Sequence, residues 1–99
     1  MSKQTKLTKA ARGRDCQVRL PGICCGDSET VVLAHYRMAG ICGTSIKPPD
    51  LIGAWACRTC HDEIDRKTRI MDHETARLYH LEGMVRTIDT LAREGLINA

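Results

Sequence analysis

Ten residues, Ala56-Cys57-Arg58-Thr59-Cys60-His61-Asp62-Glu63-Ile64-Asp65, concentrate the metal-ligand chemistry of this chain. Cys57 and Cys60 form a C-x-x-C knuckle, the spacing at which two thiolates from one turn grip a single zinc. His61 follows directly and Asp65 lies four residues on, so a helix starting near Cys60 sets imidazole and carboxylate on one face. A sulfur-rich and a nitrogen/oxygen-rich site therefore stand back to back. Upstream, Cys16 and Cys24 complete the most economical four-thiolate set with Cys57 and Cys60. Cys25 serves as well as its neighbour Cys24 at this level, and Cys42 reads as a spare thiol.

A second group surrounds His35. With Asp50, His61 and Asp65 it supplies a base, an orienting carboxylate and a metal-binding pair. Those are the parts phosphodiester hydrolysis requires: a base for water and a cation for charge developing on phosphate and leaving oxygen. An imidazole, which titrates near neutrality, suits the first task. His73 and His80, seven apart, share a helix face and read as structural.

The elements that must position these groups follow from local signals. Thr30 to Tyr36 is β-branched and apolar and predicts a strand ending near His35. Arg37 to Asp50, with Gly40, Gly43, Pro48 and Pro49, predicts a long functional loop. Leu51 to Ala56 predicts a second strand leading into the knuckle, and Cys60 to about Lys67 a helix. Asp72 is a natural N-cap for a long helix from about His73 to Glu94, stopped by Gly95. The order is knuckle, strand, loop, strand, knuckle, helix, supporting helix.

Composition explains why such a chain needs a metal. It has 99 residues, only 3% aromatic and no Phe, so a large apolar core is out of reach and a metal staple offsets the deficit. The six cysteines are read as ligands rather than bridges: Met1 to Gly13 holds no apolar signal segment, and a cytoplasmic, reducing setting is expected. No apolar run approaches a membrane span. Cys57 to His61 also fits the C-x-x-C-H haem pattern, but covalent haem attachment requires export. A thioredoxin-like role lacks its β-α-β setting.

Charge is uneven. The first twenty residues carry six basic groups against one acid within a net charge of +3. Residues 1–12 are expected to be a basic flexible arm, helical in part from Leu7 to Arg12, with 13–99 as one domain. Arg12, Arg14 and Arg37 are candidate phosphate contacts, which makes DNA the expected partner.

Cys16…Cys24, His35, Asp50-Leu51 and Cys57-x-x-Cys60-His61 together resemble the HNH endonucleases. Ala10 to Arg14, Leu33-Ala34-His35, Lys47 to Leu51 and Cys60 to Arg66 resemble the small YbcO-like nucleases of lambdoid prophages. The resemblance implies an α+β fold: a zinc-stapled ββα-metal, treble-clef-like core with a long C-terminal helix. It also implies a metal-dependent DNA endonuclease. His35 takes the place of the general base, Asp50 stands where the family often has Asn, and His61 matches the final metal-binding His. Asp65 stands where some members have a second His. Structural zinc and a catalytic divalent cation (Mg, Mn, Ni or Zn) are the implied cofactors. Ala34 departs from the pattern, since many members place a metal-binding Asp or His there. The rival expectations are a non-catalytic zinc module that binds DNA or a protein, and a structural partner that forms a homodimer through the C-terminal helix.

Overall fold

In the computed structural model, which describes residues 6–38 and 49–97, the chain is a small α+β unit. Helix α1 (Lys6–Ala11) leads through the Cys16–Cys25 segment and a 3-10 turn at Ser28–Thr30 into strand β1 (Val32–His35). Strand β2 (Gly53–Ala56), helix α2 (Arg58–Ile64) and the long helix α3 (His73–Arg93) follow. The strands form one antiparallel pair in the register Val32–Ala56, Leu33–Trp55, Ala34–Ala54 and His35–Gly53. Order and type of these elements agree with the sequence expectations. Cys42 and most of the predicted loop lie outside the described residues.

A pair of short strands cannot stand alone in water, and α3 is what supports it. Its buried residues, Ala76, His80, Gly83, Thr87 and Leu91, recur at helical spacing and form one stripe. Apart from Leu91, the stripe is made of small or polar residues, because it lies directly on backbone. A Cβ on Gly83 would come within 3.0 Å of Gln17 O and Val18 Cα. Thr87 Oγ1 accepts from Trp55 N–H (3.0 Å) and donates to Gly83 O (2.8 Å). His80 Nε2 donates to Ala34 O at 2.9 Å. Gln17 N–H donates to Trp55 O at 2.7 Å. The sheet edges thus find partners in side chains and in the preceding segment, as buried backbone must.

The apolar core gathers around Trp55, with Val18, Leu20, Leu33, Ala54, Ala56 and Leu91. Arg14 lies over the Trp55 ring, 4.8 Å from its centroid. Cys57 and Cys60 belong to the same core, so the thiol cluster and the hydrophobic centre are continuous.

Helix ends explain the boundaries. Asp72 caps α3, accepting from Thr75 N–H at 2.9 Å. Gly95, at φ +74°, closes α3 with Gly95 N–H on Ala92 O and Leu96 N–H on Leu91 O. Helix α2 ends in the same motif, Arg66 N–H on Glu63 O and Lys67 N–H on Asp62 O, but the left-handed residue is Arg66, at φ +62°. The buried Glu63 carboxylate holds that turn: it accepts from Thr68 Oγ1 (2.5 Å), Ile70 N–H and Met71 N–H (both 2.9 Å), with Arg66 beside it. The Thr68 hydrogen bond, more than any other contact, holds this carboxyl below its usual range.

The expected flexible arm differs from what is observed. The helix, from Lys6, is as expected, but Ala11 is only 1% exposed and Leu7 and Ala10 pack against the core. The spacing of those three residues gives α1 one apolar side. On α3, Leu78, Leu81 and Val85 are exposed.

Candidate active site and metal centre

Cys16, Cys24, Cys57 and Cys60 converge with their sulfur atoms all within 4.8 Å of one another. Two come from the segment before β1; the other two bracket the first turn of α2, with Cys57 at its N-cap position. Cys57 and Cys24 Sγ stand 3.7 Å apart. A zinc–sulfur bond of about 2.3 Å in a tetrahedron gives a sulfur–sulfur edge of about 3.8 Å, so the set fits one tetrahedral metal such as zinc. Arg19 N–H and Leu20 N–H approach Cys16 and Cys60 Sγ at 3.5 Å, the peptide dipoles that favour thiolate ligands. Cys25 is exposed, and Cys24 is the neighbour that joins the set.

The ionisation of the sulfurs is compatible with a cation there. A hydrogen bond from Cys60 lowers Cys16 to about 4, the same bond drives Cys60 upward, and burial pushes Cys24 up to about 11. Ionisation of Cys16 is therefore favoured, and that of Cys24 and Cys60 opposed. A dication reverses that balance and ionises the whole set.

From the second group His35 and Asp65, but not Asp50 or His61, line a cleft of about 430 Å³, together with Arg37, Ile64, Lys67, His73, Arg77 and His80. His35 sits at the end of β1, and its Nε2 lies 2.7 Å from Asp50 Oδ1, both side chains largely buried. That bond fixes the ring and leaves Nδ1 as the other nitrogen for chemistry. His61 Nε2 and Asp65 Oδ2 stand 3.1 Å apart across one turn of α2. Two imidazole–carboxylate pairs are thus formed. Among the described residues no third His, Cys, Asp or Glu joins His61 and Asp65 closely enough to complete a protein-only metal site.

The expected basic residues separate. Arg37 lines the cleft. Arg12 lines a different groove of about 250 Å³, with Thr8, Glu29 and Val31 to Leu33. Arg14 is engaged at home: both terminal nitrogens reach the Glu94 carboxylate and Nε donates to Ala10 O.

A family model described as "Putative nuclease YbcO" matches residues 5–96. The chain belongs to this YbcO nuclease family. It is 58% identical over 93 residues to "Putative nuclease YbcO" of Escherichia coli (strain K12), covering 94% of this chain and 97% of that protein. The same figures hold for "Putative nuclease ybcO" of Enterobacteria phage 82. A solved structure of "a putative bacteriophage protein" from Escherichia coli str. K-12 substr. MG1655 is similar at 54% identity with a TM-score of 0.79, covering 90% of this chain and 99% of that one.

In this YbcO-family chain the cleft includes residues the sequence reading had left as structural or unassigned. His73 and Arg77 line it, and His80 forms part of its wall while bonding Ala34. Positions 73, 77 and 80 share one helix face at i, i+4 and i+7, and that spacing was the available signal. Burial lowers His80 below the ordinary imidazole range, with Asp65, Arg77 and His61 near enough to be felt.

Proposed function

We propose that this YbcO-family chain is a metal-dependent endonuclease of the HNH type. In this reading it hydrolyses phosphodiester bonds in DNA, derives from a phage or prophage, and works in the cytoplasm. The observation that carries the reading is the His35–Asp50 pair at the end of β1, opening on one cleft with Asp65 from α2.

His35 takes the proton from the attacking water. Asp50 holds the ring and steadies the charge the ring acquires. His61 and Asp65 would supply two donors to a divalent cation, leaving capacity for substrate and water. When bound, that cation stabilises negative charge on the phosphate and the leaving oxygen. Arg37 contacts flanking phosphate. Zinc in the four-cysteine set would hold α2 to the segment before β1 and so fix His61 and Asp65 relative to His35.

A second reading, a non-catalytic zinc module, draws support from one fact. The four thiols are the sole cluster of three or more metal donors among the described residues. Incubation of the purified chain with plasmid DNA and a series of divalent ions, beside His35→Ala, separates the two. Metal-dependent nicking or linearisation absent from the variant is expected. Binding without cleavage under every ion favours the module.

A further inference from the structure

Arg77 projects from the second turn of α3 and lines the cleft beside His35. Its guanidinium stacks on Tyr36, 4.6 Å from the ring centroid. Nη2 donates to Tyr36 Oη at 2.9 Å and Nη1 to Arg37 O at 3.3 Å. No carboxylate pairs with it among the described residues, in contrast to Arg14, Arg66 and Arg93, each of which has one. A guanidinium offers five donors in a rigid plane, and these contacts use two.

The platform under Arg77 is itself fixed. Tyr36 is buried and packs edge-on against His80, with centroids 5.0 Å apart at 63°. His80 in turn donates to Ala34 O. The two neighbours of His35 in the chain, Ala34 and Tyr36, are therefore both tied to α3, one by His80 and one by Arg77. The base and this cation share one rigid support. Among the described residues the cleft carries Arg37, Lys67 and Arg77 against a single acid, Asp65, a balance that suits an anion.

We propose that Arg77 is the phosphate clamp of the cleft, its free donors binding the non-bridging oxygens of the phosphodiester attacked from the His35 side. This deepens the nuclease reading and rests on it. The fork geometry suits two oxygens of one phosphate, and the Tyr36 ring holds the fork in place before substrate arrives. The charge that grows on those oxygens during attack makes the contact stronger in the transition state than in the ground state.

The test has two arms, both on the full chain. In the first, cleavage of a DNA duplex is compared for wild type, Arg77→Lys and Arg77→Met, the last keeping an unbranched stem over the Tyr36 ring. Arg77→Met should lose about 10²–10³-fold, chiefly in kcat. Arg77→Lys should recover only part, because an ammonium is a point charge without a fork. In the second arm, binding of the same duplex is followed against salt in His35→Ala and in His35→Ala with Arg77→Met. The log–log slope should flatten by about one on loss of one phosphate contact. Tyr36→Phe serves as the structural control. If Arg77 merely fastens α3 to β1, Arg77→Met and Tyr36→Phe lower the melting temperature alike and Arg77→Met leaves slope and kcat unchanged, which overturns the proposal. A changed slope with no cleavage by any form overturns both the nuclease reading and the clamp on an attacked phosphate, and leaves Arg77 as a DNA-phosphate contact only. Cleavage by wild type with an unaffected Arg77→Met keeps the nuclease and discards the clamp. Failure of every form to bind DNA discards both.

Discussion

The two polar centres of this chain are built on opposite plans. The cysteine cluster is closed: four like donors from two chain segments meet within 4.8 Å, and the sulfurs satisfy one another and two peptide N–H groups. The cleft is open: His35 and Asp65, one member of each imidazole–carboxylate pair, line it with three cations, and among the described residues no three metal donors converge there. Helix α2 belongs to both, Cys57 and Cys60 at its start and His61 and Asp65 along it. A site that must hold its metal uses its full donor capacity within the protein. A site meant for substrate leaves capacity for phosphate and water.

Breaking the closed centre should have the largest effect. Cys57→Ser or Cys60→Ser should leave the domain unfolded or nearly so, since binding energy at a structural zinc, about 10–16 kcal/mol in small domains, is folding energy. Cys25→Ser should change stability by no more than about 0.5 kcal/mol and keep one zinc per chain. Metal content by elemental analysis and thermal melts of the three variants check this. A zinc-free chain that melts like wild type would remove the metal from the account.

The wall of the cleft should respond to acid. His80 is depressed by burial, so below the ordinary imidazole value of 6.5 the unfolded chain binds more protons than the folded one. Stability from this group is complete above that value and declines as pH falls through it. In His80→Gln the loss of stability between about pH 7 and pH 5 should be shallower than in wild type. Chemical denaturation across that range measures it, and an unchanged slope would show that His80 does not titrate against folding.

The smallest effect separates two arginines that look alike in sequence. Arg14→Ala should lose about 1 kcal/mol, from a partly exposed ion pair with Glu94 and the contact with Trp55, and leave the salt dependence of DNA binding unchanged. Arg37→Ala should do the reverse, leaving stability within about 0.5 kcal/mol and flattening the salt slope by about one. Parallel melts and binding isotherms decide between them.

How much of this was legible beforehand follows from where each signal resides. Asp72 as cap, Gly95 as stop, and His61 and Asp65 on one helix face are local patterns, and the structure repeats them. Cys24 against Cys25 was undecidable because adjacent residues point apart only once the backbone is placed. The role of Arg14 was hidden for another reason. Its partner Glu94 lies eighty residues away, and nothing near Arg14 announces it. Helix α1 was underread because its basic residues outweighed a three-residue apolar side. His80 and Arg77 were missed because their partners, Ala34 O and Tyr36, are fixed by the packing of α3 on β1, which helix periodicity does not specify.

The most direct measurement of the central claim is cleavage rate against divalent-metal concentration for His35→Ala, His61→Ala and Asp65→Asn. A lost base cannot be restored by mass action, whereas a weakened ligand set can. His35→Ala should fall by roughly 10²–10⁴-fold at every metal concentration. His61→Ala should recover in part as metal is raised, and Asp65→Asn should behave as a milder version of it. A metal midpoint displaced by His35→Ala, or cleavage unaffected by all three substitutions, would contradict the account.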